Sequence, residues 1–240
     1  EKPDYLFLQN GGGIQPNVLK QIKQNYNIKI INALVDSPFN NNRSHFAVSL
    51  RFSDYILNPE SNWNKFLANI APDAQIIKFL GGYNPQNFYV VEQNNLTQEE
   101  IGRLSKEIVF TGGSYHNLPE GAYRAGVLGQ LAEDGYNISL FGDEGWKYWF
   151  QYYPALENAY NKGRLPYNDY VKLLNLSKIY INMPSPQITS SFQPRVFEIA
   201  ACRGFQIIDH SEDLARVFDM NRIATFKNYY ELKEKINYYL

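Results

Sequence analysis

A repeating rhythm limits this chain's folding options more than any single residue does. Short apolar runs recur, each closing on glycine or a polar loop: DYLFLQ at 4–9, IKIINALVD at 28–36, SDYILNP at 53–59, AQIIKFL at 74–80 and EIVFTGG at 107–113. NISLFGD at 137–143, KIYINM at 178–183, FQIID at 205–209 and RIATF at 222–226 continue the series. Helically spaced segments stand between them at 16–26, 60–70, 97–105, 121–135 and 167–177, and another closes the chain at 229–240. Apolar runs of this length bounded by turn residues read as short strands. A strand, a helix and a further strand require a crossover, and crossovers build parallel sheets. The expectation is an α/β chain.

The rhythm starts twice. The stretch 83–97 lacks clean periodicity, and the pattern restarts near residue 106. This predicts two α/β units, 1–100 and 106–240, with the boundary at 95–106. The first is apparently truncated: the chain opens on Glu1, without a methionine, straight into a strand-like run. The hydrophobic fraction of 44% is enough for a real core. A net charge of −1 provides no global field for nucleic acid or an anionic membrane. No run approaches the roughly 20 apolar residues of a membrane helix, and no signal peptide is recognisable. Cys202 is the single cysteine, which forbids an intrachain disulfide and fits a reducing cytoplasm.

The most patterned stretch is SSFQPRVFEIAACRGFQIIDH at 190–210. Pro194 suits the start of a helix and Gly204 a left-handed stop, which predicts a helix over 194–203. Its N-terminal N–H groups would face the loop of Thr189, Ser190 and Ser191, an arrangement suited to an anion. Arg195 adds a planar cation that matches phosphate. Glu198 lies one turn along and can accept from two ribose hydroxyls. Diphosphate beside ribose is what a nucleotide-sugar presents. An ion pair between Arg195 and Glu198, with Glu198 merely complementing the helix dipole, explains the same spacing.

Over 107–240, the motifs VFTGGSYH, Arg124, LFGDEGW, NKGRLPYNDY and RVFEIAACRGF appear in an order that resembles the glycosyltransferase group 1 superfamily. Within it the likeness is to the spore-maturation (CgeB-type) branch. The first hundred residues match more loosely, through PDYLFLQNGG, VDSP and DYILNP. The resemblance implies a GT-B fold of two Rossmann-like domains, a nucleoside-diphosphate-sugar donor held by the C-terminal one, and no required metal or other cofactor. It implies donor binding by Gly112, Gly113, Ser114, Tyr115 and Arg124, by Gly163, Arg164 and Leu165 at the nucleobase, and by Thr189, Ser190, Ser191, Arg195 and Glu198. The partners implied are the donor and an acceptor, whether glycan, protein or small molecule. Transfer with retention is expected, with epimerisation or non-catalytic binding as alternatives. One departure stands out: the superfamily often carries a second glutamate eight positions before the ribose-binding one, and here Ser190 occupies that place.

Gly11-Gly12-Gly13 followed by Asp36 mimics a dinucleotide fingerprint, but Pro16 stands where its third glycine belongs. In the GT-B reading Asp36 is a candidate acceptor contact or base, against the plainer reading of a loop-capping aspartate. His45, His116 and His210 follow no metal-ligand spacing. His116, in the glycine loop, is either a sugar or phosphate contact or a solvent-facing loop residue. Trp146 is expected to pack, and Cys202 to lie in the core.

Overall fold

The computed structural model describes residues 3–11, 13–39 and 44–240. Gly12 of the glycine triplet lies outside them. The chain divides into two compact units, Glu1–Gly81 with Gln187–Gln193, and Gly82–Pro186 with Pro194–Leu240.

The first unit holds β1 (Tyr5–Gln9), α1 (Pro16–Asn25), β2 (Lys29–Ala33), α2 (Ser44–Ser49), β3 (Tyr55–Asn58), α3 (Asn64–Ile70) and β4 (Gln75–Lys78). All pairings are parallel, in the order β1-β2-β3-β4. Pro16 occupies the first turn of α1, where a missing N–H removes nothing. That helix presses Leu19 onto Leu8 and Ile30, while Leu34, Phe46, Ile56, Trp63 and Leu67 form a second cluster. Ile188 belongs to that second cluster, which helps explain why the distant segment 187–193 joins this unit. Gln187 Oε1 adds an acceptor for the Ser37 N–H at 2.7 Å.

The second unit holds α4 (Gln98–Leu104), β5 (Ile108–Thr111), α5 (Gly121–Glu133), β6 (Ile138–Phe141), α6 (Leu156–Ala159), β7 (Tyr160–Asn161), α7 (Tyr167–Leu176), β8 (Ile179–Asn182), α8 (Arg195–Ala201), β9 (Gln206–Asp209), β10 (Ala224–Phe226) and α9 (Tyr229–Tyr239). Its sheet is parallel, in the order β10-β9-β8-β5-β6-β7. The chain starts in the centre at β5, winds outward to β7, returns to β8 and winds the other way. The reversal between β5 and β8 opens a crevice at the carboxyl ends of the strands, where open α/β sheets bind ligands.

Every residue of β5, β6 and β8 is buried, which explains their continuous apolar runs. Alternate residues serve opposite faces. Ile108 and Phe110 join Leu128 and Leu131 of α5 and Ile236 of α9, whereas Val109 joins Val171 and Leu174 of α7 and Ile199 of α8.

The division into units differs from the sequence boundary at 95–106, because residues 82–106 sit with the second unit. Helix α4 begins with a reciprocal capping box between Thr97 and Glu100. It docks on α7 through Arg103–Asp169 at 2.7 Å and a Lys172–Glu100 pair. The Lys172 ammonium holds the Glu100 carboxyl down at about 2.

Helix α8 also differs at both ends from the expected 194–203. Pro194 is its N-cap rather than its first helical residue. Arg203, not Gly204, takes the left-handed conformation, with φ +56°. Gly204 is required by space instead, since a Cβ there would lie 2.7 Å from the Leu174 carbonyl.

Among the described residues, no helix is long and apolar enough to cross a membrane. Nor do three or more His, Cys, Asp or Glu side chains gather where they could hold a metal.

Candidate functional site

At the carboxyl end of the second unit's sheet lies a cavity of about 330 Å³ lined by Thr111, Gly112, Gly113, Phe141, Gly142, Arg164, Leu165, Tyr170 and Arg195. The strands deliver its walls: β5 runs into Gly112 and Gly113, and β6 into Gly142. The Gly112 N–H continues the ladder to Phe141 O at 2.9 Å. Beyond it, three successive carbonyls are turned into the protein. Gly112 O accepts from Trp146 Nε1 at 2.9 Å, Gly113 O from Arg124 Nη1 at 3.2 Å, and Ser114 O from Trp149 Nε1 at 3.1 Å. Gly142 makes room for this, because a Cβ there would meet Gly112 O at 2.2 Å and the Trp146 indole nitrogen at 2.4 Å. With these carbonyls engaged elsewhere the loop turns few acceptors toward the cavity; of its N–H groups, that of Gly112 bonds Phe141 O and that of Ser114 bonds Asp143 Oδ2 at 3.0 Å, which leaves the Gly113 N–H.

The charged side chains lining the cavity are both arginines. Arg164 is exposed. Arg195, in the first turn of α8, donates from Nη1 to Thr111 O at 2.7 Å, while its buried Nε has no hydrogen-bond partner. A buried guanidinium N–H without an acceptor is costly. The Tyr170 hydroxyl is likewise buried without a hydrogen-bond partner, in the neighbourhood of Thr111, Tyr180, Arg195 and Glu198. Thr111 and Tyr180 bond each other through their hydroxyls.

The ion-pair explanation of the Arg195–Glu198 spacing is not realised: the described residues show no such pair. Burial pushes the Glu198 carboxyl up, with Arg195 and Tyr170 pulling the other way. Glu198 lies one turn behind Arg195 rather than in the cavity lining.

Of the residues expected at the donor, the cavity brings together Gly112, Gly113, Arg164, Leu165 and Arg195. Arg124 is buried and committed to the scaffold. It holds Gly113 O, Met183 O at 2.9 Å and Pro184 O, and faces the rings of Phe110 and Tyr115. Its part is to brace the loop. Ser114 and Tyr115 lie just past the lining, Tyr115 with φ +46°. Gly163, φ +89°, sets the turn before Arg164, its N–H donating to Tyr160 Oη at 3.3 Å. Cys202 is buried, and burial pushes its thiol up to about 11, in keeping with a core residue.

Thr189, Ser190, Ser191 and Asp36 fall in the first unit. The donors of the Thr189–Ser190 loop, expected to reach phosphate, are used internally. Glu60 Oε2 accepts from Thr189 N at 2.8 Å and Ser190 N at 3.0 Å, and Oε1 accepts from Asn62 N at 2.9 Å and from the Ser190 hydroxyl. Asn62 Nδ2 adds a bond to Thr189 Oγ1 at 2.8 Å. Glu60 is fully buried, yet these donors outweigh burial and keep its carboxyl below the usual range. Ser191 Oγ is buried without a partner. Asp36 is exposed and accepts from Asn10 Nδ2 at 3.1 Å, lacing the loop after β1 to the one after β2.

Sequence reasoning missed Glu60, Asp143, Tyr170 and the hydrogen-bonding role of the tryptophans. A weak signal existed for the tryptophans: a run of DEGWKYWF between strands has too few helix formers to be mere helix surface. It folds as a 3-10 segment, Glu144–Gln151, that burying Trp146 and Trp149 fixes under the glycine loop. For Glu60 the sequence held no sign, since its partners lie 129 and 130 residues away.

A family model described as glycosyl transferase-like matches residues 124–240. No curated protein matches the sequence. Among solved structures, sucrose-phosphate synthase from Thermosynechococcus elongatus is similar at 13% identity and TM-score 0.62, over 98% of this chain and 64% of that one. A UDP-forming trehalose-phosphate synthase from Burkholderia xenovorans aligns at 9% identity and TM-score 0.64, over 98% and 65%. The Anabaena protein HepE, in complex with UDP and glucose, aligns at 12% and 0.61, over 98% and 67%. The chain thus spans slightly under two thirds of the two synthases. These likenesses, together with the two parallel sheets, establish the fold: it is that of the GT-B glycosyltransferases, and residues 124–240 carry the glycosyl transferase-like part.

Proposed function

We propose that the cavity of the second unit binds the diphosphate of a nucleotide-sugar, and that the protein transfers the sugar to an acceptor hydroxyl. The observation that carries this is the Arg195 guanidinium: half-buried in the cavity wall, held in place by Thr111 O, and left with a buried, unpaired Nε beside a loop whose carbonyls are turned away. A diphosphate supplies the acceptors this site lacks. Glu198 would hold the ribose hydroxyls, and Leu165 would line the base. HepE, solved with UDP and glucose, supports a uridine nucleotide as the first to try.

In transfer, the bond between the anomeric carbon and the phosphate oxygen breaks, its electron pair leaving with the diphosphate. The acceptor oxygen bonds that carbon and gives up its proton. Arg195 meets the charge gathering on the leaving diphosphate, where fixed donors lower the barrier most. An oxygen of the departing diphosphate can take that proton. We read the reaction as metal-independent and retaining, the protein as cytoplasmic, and its kinship as with the spore-maturation (CgeB-type) branch. The single cysteine supports the compartment, and the resemblance supports the other finer points, although Ser190 departs from its glutamate pattern.

Incubation with UDP-sugars, with and without acceptor alcohols, tests the reading. UDP released only with acceptor present is the expected result. An altered sugar without acceptor would indicate epimerisation, and binding without turnover a non-catalytic module.

A further inference from the structure

The two loops that line the cavity run on into a polar array that diphosphate binding leaves unused. Ser114 Oγ donates to Asp143 Oδ1 at 2.6 Å, and His116 Nδ1 stands 3.2 Å from the same Oγ. Asp143 also accepts from Ser114 N at 3.0 Å and Gly145 N at 2.9 Å. Burial raises the Asp143 carboxyl, but these donors more than reverse that and keep it ionised. Gly145 is the gap that admits the array: a Cβ there would lie 2.2 Å from His116 Nδ1, 2.3 Å from Ser114 Oγ and 2.7 Å from Asp143 Oδ1. The array backs the cavity wall, since a Cβ on Gly113 would lie 3.2 Å from Asp143 Oδ2.

We propose that Asp143, Ser114 and His116 form a hydroxyl-reading site at the cavity, with His116 Nε2 accepting a hydrogen bond from the sugar of the bound nucleotide-sugar. The proposal rests on the nucleotide-sugar reading above and adds which part of the ligand this side chain recognises. A serine hydroxyl has one proton, and the short bond to an ionised carboxylate takes it. Ser114 Oγ therefore meets His116 with a lone pair, and Nδ1 must carry a hydrogen. In the neutral ring Nε2 is then a bare acceptor. The ring leans on Tyr148, centroids 5.9 Å apart, and is exposed. A bare ring nitrogen welcomes an O–H and repels a phosphate oxygen, so the group it reads belongs to the sugar. The array is no nucleophile triad. Its carboxylate holds the serine rather than the histidine, so His116 Nδ1 cannot take the Ser114 proton.

Two measurements test this. Long-range proton–nitrogen correlation spectra of the neutral imidazoles, with His116 assigned through His116→Asn, should place its proton on Nδ1. Ser114→Ala should mix the tautomers. A proton on Nε2 in the wild type, or an unchanged tautomer in Ser114→Ala, would overturn the array whatever ligand binds. Calorimetry with UDP and UDP-glucose should then show His116→Ala weakening UDP-glucose about tenfold, one hydrogen bond's worth, with UDP unchanged. Equal weakening of both, or of neither, refutes the sugar-reading role. A wild type that binds neither compound refutes the nucleotide reading and the sugar role together, while the tautomer result still judges the array.

Discussion

Replacing Glu60 by glutamine changes one atom and removes the charge at the centre of a clasp. The carboxylate accepts four hydrogen bonds, two at each oxygen: Thr189 N and Ser190 N at Oε2, Asn62 N and the Ser190 hydroxyl at Oε1. A glutamine amide can accept at only one end. Its NH₂ at the Oε2 position would confront two backbone N–H groups. At the Oε1 position it orphans only Asn62 N, because the Ser190 hydroxyl can rotate and accept. The protein should choose the second arrangement, losing one charge-assisted bond and the charge on the rest. Bonds to charged groups contribute about 1.5–3 kcal/mol each and neutral ones about 1. Allowing for the relief of no longer burying a charge, the net loss is about 2–4 kcal/mol. Urea denaturation of wild type and Glu60→Gln would measure it. Amide hydrogen exchange at Thr189 and Ser190 should rise selectively, because the loop loses its anchor. A loss under about 0.5 kcal/mol, the range of an ordinary surface change, with unchanged exchange at both amides, would refute the clasp.

Acid should expose the same group in the wild type. A carboxyl held below its unfolded value of about 4.3 contributes stability that is fully present above that pH and lost as pH falls through the folded value. The stability gap between wild type and Glu60→Gln should therefore be constant above about pH 5 and shrink below about pH 4; a gap that is flat through pH 3 would contradict it. Trp146→Phe keeps the ring packed on Phe110 but removes the donor to Gly112 O, which should cost about 1–3 kcal/mol and weaken UDP binding; unchanged thermal stability and unchanged UDP affinity would contradict the pinned-carbonyl argument. Arg195→Lys loses the planar fork, so UDP affinity should fall about tenfold or more while uridine affinity hardly moves; equal weakening of both would indicate a damaged fold.

The central strands of the second sheet were legible because they are buried on both faces: Ile108–Phe110 and Ile179–Ile181 lie wholly in the core, so their largely apolar pattern survives without context. What escaped was set by distant partners or by very short elements. β7 is two residues long and carries no periodicity. Helix α4 was read correctly as a helix, but its allegiance depends on Arg103 and Glu100 meeting Asp169 and Lys172, some seventy residues on, which spacing cannot show. Gly204 was read as a conformational stop when its need is room beside Leu174 O. Of the cavity's lining, Gly112 and Gly113 were legible because motif and strand end coincide. The fate of Thr189 and Ser190 was not, because it turns on a carboxylate from β3's far loop.

The same physical device appears at three strand ends, and the difference among them marks the site. Parallel strands end in turns that present N–H groups. After β3, Glu60 gathers the N–H groups of Asn62, Thr189 and Ser190. After β6, Asp143 gathers that of Gly145 and reaches across to that of Ser114 in the turn after β5. In both places the protein supplies its own anion, and the turn is electrostatically complete. After β5 the lining holds no carboxylate at all; it holds Arg164 and Arg195, and the nearby carbonyls are drawn away by Trp146, Arg124 and Trp149. Two such turns are satisfied from within, and of the third the protein's own acceptors take the Gly112 and Ser114 N–H groups, while Arg164 and Arg195 line a cavity without a carboxylate; that charge pattern is what the proposed diphosphate site rests on.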